Sequence, residues 1–203
     1  MASTFPSSTD WSPRMDLAAH VAAAIFVVVL VIGQNVMARL AKVPTDTVAK
    51  DPGASKLYRV LGAIPLSIYL IGGGWSFDWV PDEVRVEGFI FIAMGLTLIF
   101  WAQLSLGRNW VGGVGLHDSH TLITSGPYAW VRHPLYSGFC LAAVGIALAS
   151  ANPLAASGAL LVALSLLVRI WGEEELLKRR FKKEYLEYRS RTGYLIPRLR
   201  QRL

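Results

Sequence analysis

The sequence predicts an all-α integral membrane protein with about five transmembrane helices. Helices 4 and 5 form a hairpin, and a cytoplasmic amphipathic helix follows. Three observations lead there. Of 203 residues, 53% are hydrophobic and only 17% are charged, against about 25% charged in an ordinary soluble domain. Such a chain is too apolar for disorder. The apolar residues are gathered into blocks free of Asp, Glu, Lys and Arg, and a bilayer crossing needs about 20 such residues. The basic residues are sorted between loops. A soluble helical bundle, the competing reading, would need its buried helices to stay charge-free repeatedly.

Residues 1–16 are polar and contain proline, and are expected to form a flexible leader. Leu17 to Ala38 is free of charge and predicts helix 1 at roughly 17–39. This block exceeds the about 7–15 residues of a signal-peptide core, and Arg14 before it is opposed by Asp10 and Asp16. It is therefore expected to remain as a helix. Val60 to Phe77 predicts helix 2 at 58–77, and Gly88 to Gly107 predicts helix 3 at 87–106. The longest block runs from His133 to Val168 and is divided by Asn152-Pro153, a turn signal. It predicts helix 4 at 136–150 and helix 5 at 154–171. Helix 4 is short for a rise of about 1.5 Å per residue, so a hairpin that stops before the far interface is the alternative.

Lys and Arg mark the loops that stay cytoplasmic. Arg39, Lys42, Lys50, Lys56 and Arg59 follow helix 1. Asp78, Asp82, Glu83 and Glu87 outnumber Arg85 after helix 2, and Arg108 and Arg132 follow helix 3. Ten of the 20 basic residues fall within 172–203. The consistent topology has the N-terminus outside and the C-terminus in the cytoplasm. In the tail, Leu177, Phe181, Tyr185 and Tyr188 share one helical face. That pattern favours an amphipathic helix on an anionic leaflet over a nucleic-acid arm.

Polar residues that border membrane helices are costly, and are read as functional by default. One cluster is His117-Asp118-Ser119-His120, Gly126-Pro127-Tyr128 and Arg132-His133-Pro134-Leu135-Tyr136. The other is Arg169 with Glu173-Glu174-Glu175. A hairpin brings both to the same interface, where Arg132 and Arg169 can face the glutamates. Three histidines raise the question of a metal, but no second cysteine or HExxH spacing supports zinc. Cys140 cannot form an internal disulfide and is expected in helix 4, where a thiol is inert. Gly112-Gly113-Val114-Gly115 is a weak phosphate signal, and Gly72-Gly73-Gly74 suits close helix packing. Pro134 restricts His133 to an extended backbone and can open helix 4, whose N-terminus then suits a carboxylate or phosphate. A simple helix start with Tyr136 in the interfacial belt fits equally well.

His120-Thr-Leu-Ile-Thr-Ser-Gly-Pro-Tyr-Ala-Trp-Val-Arg-His-Pro-Leu-Tyr-Ser-Gly138, then Glu173-Glu-Glu-Leu-Leu177, then Glu184-Tyr-Leu-Glu-Tyr188 closely resemble the isoprenylcysteine carboxyl methyltransferase family. The resemblance runs from Leu106 to Pro197. It implies a membrane methyltransferase that uses S-adenosylmethionine, with 107–203 as the catalytic region following three transmembrane helices in 17–106. That region would hold a cofactor-binding loop, the hairpin 136–171 and the tail helix. Carried over by motif, His120, Leu122, Tyr128, His133, Pro134, Tyr136 and Glu174 would line the cofactor site, with Arg132 beside them. The family's acceptor is the terminal carboxylate of a prenylated cysteine, and it enters from the bilayer. Eukaryotic members carry extra N-terminal helices. Five helices resemble compact prokaryotic relatives, so a lipophilic acceptor is expected but a prenylated protein is not assured.

A carboxylate acceptor is already ionised at pH 7. It needs alignment and exclusion of water rather than a base. Arg169 is the expected carboxylate clamp, Glu173 would fix it, and Glu174 would meet the cofactor's positive groups. An Arg169–Glu173 salt bridge at i, i+4 with no substrate role is the competing reading. A phospholipid amine or small thiol acceptor would instead need a base, for which His133 or a glutamate is the candidate. Neither nucleic acid nor metal is an expected partner. Membrane lipids are.

Overall fold

The computed structural model of the chain describes residues 8–29, 63–71, 76–109 and 120–198. Four helices are Ser8–Val28 (α1), Asp82–Leu106 (α3), Pro134–Ser150 (α4) and Pro153–Arg191 (α5). Between the first two, residues 63–71 are helical (α2). Short 3-10 turns occupy Gly107–Asn109 and Gly126–Ala129. Among the described residues the chain is all-helical, with one isolated β-bridge between Val131 and Gly193. Gly72-Gly73-Gly74, Gly112 to Gly115 and His117-Asp118-Ser119 lie outside the described residues.

Among the described residues, two helices, Asp82–Leu106 and Pro153–Arg191, are long and apolar enough to cross a membrane, and Pro134–Ser150 is a shorter apolar helix. Exposed apolar side chains recur on their outer surfaces. They include Ile64, Ile68 and Ile71 on α2, Ile90, Met94, Phe100 and Leu104 on α3, and Leu160 and Leu164 on α5. Such faces suit acyl chains rather than water. Exposed Trp79 precedes α3, and exposed Trp101, Trp130 and Trp171 sit at the other end of the helices, as interfacial indoles do.

Helix boundaries depart from the sequence expectation in four places. α1 begins at Ser8, so residues 8–16 are helical rather than part of a flexible leader. The charge at Asp16 does not end the helix, because Arg85 Nη2 pairs with Asp16 Oδ1. Phe77 lies outside any helix and donates its N–H to Ala151 O at 2.8 Å. α3 starts at Asp82, five residues before the expected 87, with Asp82 and Glu83 in its first turn. Acidic side chains are stabilised there by the helix dipole. α5 does not stop near 171 but continues to Arg191 through a kink at Lys182 (φ 44°, ψ −116°).

The hairpin turn forms where expected. Asn152 Oδ1 accepts from Leu154 N at 2.8 Å and Ala155 N at 3.1 Å, satisfying two donors at the start of α5. Ala151 carries the left-handed conformation that reverses the chain (φ 46°).

α3 and α4 are antiparallel and touch backbone to backbone. A Cβ at Gly88 would come within 2.4 Å of Ala149 N, and one at Gly145 within 2.6 Å of Gly88 O. A Cβ at Gly95 would meet Gly138 O at 2.6 Å, and one at Gly138 would meet Gly95 O at 2.8 Å. The core continues through Ile92, Ile99, Phe139, Ala142 and Ile146 to Ala155, Ala159, Val162, Leu166 and Ile170 of α5. Far from the His-Pro segment, Arg85 also donates Nε to Ala149 O at 3.0 Å, and His20 stacks on Tyr69 at 4.2 Å.

Candidate active site

The His-Pro segment is placed by three elements. The turn Gly126–Ala129 rests on the end of α3. Gly126 has positive φ (61°), and a Cβ there would lie 2.6 Å from Ser105 Oγ. Tyr128 is buried in this turn, and its carbonyl accepts from Tyr188 OH at 2.7 Å. Pro134 opens α4 as its first residue, with His133 as the cap position and no side-chain cap. The first turn closes when Ser137 N donates to His133 O at 3.0 Å.

The chain beyond α5 then runs beside this segment. Gly193 N donates to Trp130 O at 3.0 Å, Arg132 N to Gly193 O at 2.9 Å, and His133 N to Tyr194 O at 3.2 Å. Ser137 Oγ donates to Leu195 O at 2.6 Å. Arg132 Nη1 donates to Arg189 O at 3.2 Å and Thr192 O at 2.8 Å. Its guanidinium also lies over the Tyr194 ring, 5.3 Å from the centroid.

At the centre stand two adjacent carboxylates from α5. Glu174 Oε1 accepts from Arg132 Nε at 3.1 Å, from His133 Nε2 at 2.9 Å, and from Tyr185 OH. Its side chain is 9% exposed. Burial raises the Glu174 carboxyl pKa, but the bonds from His133 and Tyr185 and the Arg132 charge outweigh it and hold it at about 2. Burial, and then the bond to Glu174, pushes the Tyr185 phenol far above its ordinary range. Glu173 is more open, at 24%. It accepts from Tyr136 OH, and its Oε2 lies 3.9 Å from His133 Nδ1. Burial and the Glu173 charge likewise hold the Tyr128 phenol neutral, well above its usual value.

The structure thus brings together Tyr128, Arg132, His133, Pro134, Tyr136, Glu173 and Glu174. Arg169 is buried within electrostatic reach of Tyr136. The His120 ring is 6.3 Å from Phe181, and Leu122 is half-buried. Glu174 is the more enclosed of the two carboxylates and Glu173 the more exposed. The sequence does not mark Tyr185, Tyr188 and Thr192 as site residues. The spacing of the tyrosines shows only that they share a helical face, although a buried phenol needs a hydrogen-bond partner.

Residues 88–179 match the model of the isoprenylcysteine carboxyl methyltransferase family. The protein-S-isoprenylcysteine O-methyltransferase of Xenopus laevis is 36% identical over 117 residues, covering 56% of this chain and 41% of that protein. The nickel-cobalt-cadmium resistance protein NccN of Alcaligenes xylosoxydans xylosoxydans is 32% identical over 146 residues, covering 70% of this chain and 64% of that one. These matches span less than two thirds of either relative. The solved structure of a eukaryotic intramembrane Ras methyltransferase aligns with a TM-score of 0.52 and 24% identity, over 74% of this chain and 54% of that one. That likeness concerns the fold.

Proposed function

We propose, from the match of residues 88–179 to the model of the isoprenylcysteine carboxyl methyltransferase family, that the chain is an integral membrane, S-adenosylmethionine-dependent methyltransferase acting on a lipophilic carboxylate. One observation carries the reading. The Arg132-His133-Pro134 segment and the Glu173-Glu174 pair, far apart in sequence, form a single hydrogen-bonded cluster at one end of apolar helices.

The donor set fits the cofactor. An accessible carboxylate (Glu173), aromatic surfaces (Tyr128, His133, Tyr136) and an uncapped α4 N-terminus suit a molecule with both cationic and anionic groups. When bound, S-adenosylmethionine supplies a methyl group activated by a sulfonium. In this reading Glu173 holds cationic groups, and His120, Leu122 and Tyr128 line the rim. Arg132 and Glu174 act through their neighbours by orienting His133. Arg169, buried on the α5 face of the cluster, is the clamp for the acceptor carboxylate. The apolar surroundings exclude water from the reacting pair.

Five crossings, with the N-terminus outside and the cluster and tail in the cytoplasm, complete the proposal. They follow the distribution of basic residues. The acceptor would reach Arg169 from the bilayer. The longer match to a metal-resistance protein supports a second reading, in which the same chemistry serves an acceptor that is not prenylated.

Calorimetry on detergent-solubilised protein tests the proposal with S-adenosylhomocysteine. Binding is expected, and His133→Ala or Tyr136→Phe should weaken it about tenfold or more, as loss of a hydrogen bond to a charged group does. Absence of binding by the wild type would falsify the methyltransferase reading. A labelled-methyl assay across carboxylate, amine and thiol acceptors decides the second question. A base-labile product identifies a methyl ester, and a base-stable one overturns the carboxylate. Arg169→Lys should raise the acceptor KM while leaving S-adenosylhomocysteine affinity near wild type.

A further inference from the structure

Tyr185 lies eleven residues beyond Glu174 on the same helix. A straight helix would separate them by about 16 Å. The kink at Lys182 removes that separation and delivers the Tyr185 hydroxyl to Glu174 Oε1. Lys182 adopts positive φ without being glycine, a conformation that costs energy and persists only when surrounding contacts hold it. The contacts that hold it are those of the tail with the 128–133 segment, through Tyr188 OH, Arg132 and the Val131–Gly193 bridge.

Packing alone does not require the hydroxyl. Tyr185 is completely buried, and a phenylalanine ring would fill the same space without a polar group to satisfy. The oxygen it serves also determines the state of His133. An ionised carboxylate only accepts hydrogen bonds, so His133 Nε2, at 2.9 Å, carries the proton. His133 Nδ1 is then turned toward Glu173 Oε2, 3.9 Å away. Glu173 is the more exposed carboxylate, beside Tyr136.

We propose that Tyr185 is a positioning residue of the methyl-donor site. Its hydroxyl, returned by the Lys182 kink, fixes the Glu174 oxygen that orients His133, and so presents His133 Nδ1 to Glu173. The proposal rests on the methyltransferase reading above for the identity of the ligand, but not for the state of the imidazole. The low pKa of Glu174 agrees with it, since that group stays an acceptor at neutral pH.

The test uses the full chain in detergent, labelled with 15N at histidine, and compares Tyr185→Phe with Tyr188→Phe. The Tyr188 hydroxyl binds the Tyr128 carbonyl and not the carboxylate. In the wild type, His133 Nε2 should carry a proton held in a hydrogen bond. In Tyr185→Phe the Nε2 signal should move as that bond loosens, and S-adenosylhomocysteine affinity should fall about tenfold. In Tyr188→Phe the His133 signals should stay as in the wild type. Wild-type His133 signals in Tyr185→Phe, equal shifts in both variants, or unchanged affinity despite a moved spectrum would each overturn the proposal. Should Tyr185→Phe not fold, Glu174→Ala, which removes the acceptor, tests the same imidazole, and a wild-type His133 spectrum there overturns the proposal. If the wild type binds no S-adenosylhomocysteine, the methyltransferase reading fails, while the His133 spectrum still decides the positioning role.

Discussion

Glu173 and Glu174 are chemically identical neighbours with different surroundings. Glu174 is enclosed by Arg132, His133 and Tyr185, whereas Glu173, beside Tyr136, is the more exposed. The contrast gives a pH prediction. The folded pKa of Glu174 is lowered from 4.5 to about 2. Its contribution to stability is therefore complete above the ordinary carboxylate pKa and is lost as pH falls toward about 2. Thermal melts of wild type and Glu174→Gln should differ by a constant amount above that range and converge as pH falls through it. A gap that widens on acidification would contradict the assignment. From sequence, both glutamates were visible as site candidates, but their order of exposure was not. Exposure depends on which side of α5 meets Arg132, and the nearest sequence neighbours do not reveal that.

Helices meet here through glycine rather than through large interlocking side chains. Gly88, Gly95, Gly138 and Gly145 let the α3 and α4 backbones touch, which stabilises helix association where lipid removes the hydrophobic drive. Gly95→Leu or Gly138→Val forces a side chain against main-chain atoms that cannot yield. A loss at or above the about 1–3 kcal/mol typical of overpacked cores is expected. Chemical denaturation in mixed micelles can measure it, and wild-type stability would refute the close contact. Asn152→Ala should cost about 1 kcal/mol by removing the cap on α5. The seven-residue spacing within each glycine pair could be found in the sequence, but the pairing of the two helices could not. Helix ends differ from the charge-free blocks for a local reason. A charge does not stop a helix where Asp82 and Glu83 are favoured in a first turn and Asp16 is paired with Arg85.

Across the molecule, charge and aromatic residues separate the two ends of the apolar helices. Trp79 stands at one end, and Trp130, Trp171 and the basic tail stand at the other. The proposed orientation predicts opposite labelling in single-cysteine variants made in a Cys140→Ser background. Cysteine at Trp79 should react with an impermeant reagent on intact cells, and cysteine at Lys183 only after permeabilisation. The reverse pattern would invert the topology.

The apolar blocks, the hairpin at Asn152-Pro153 and the chemistry of the Arg-His-Pro and Glu-Glu motifs were all legible in the chain, because each follows from residues close together. Lipid demands long uncharged stretches, and a proline after a histidine opens a helix, whatever lies elsewhere. The shared oxygen of Glu174, the return of Tyr185 and the backbone contact of α3 with α4 were not legible. They join residues distant along the chain or around a helix, and they depend on one kink and one antiparallel register. Those are set by the free energy of packing the whole bundle, which no local pattern contains.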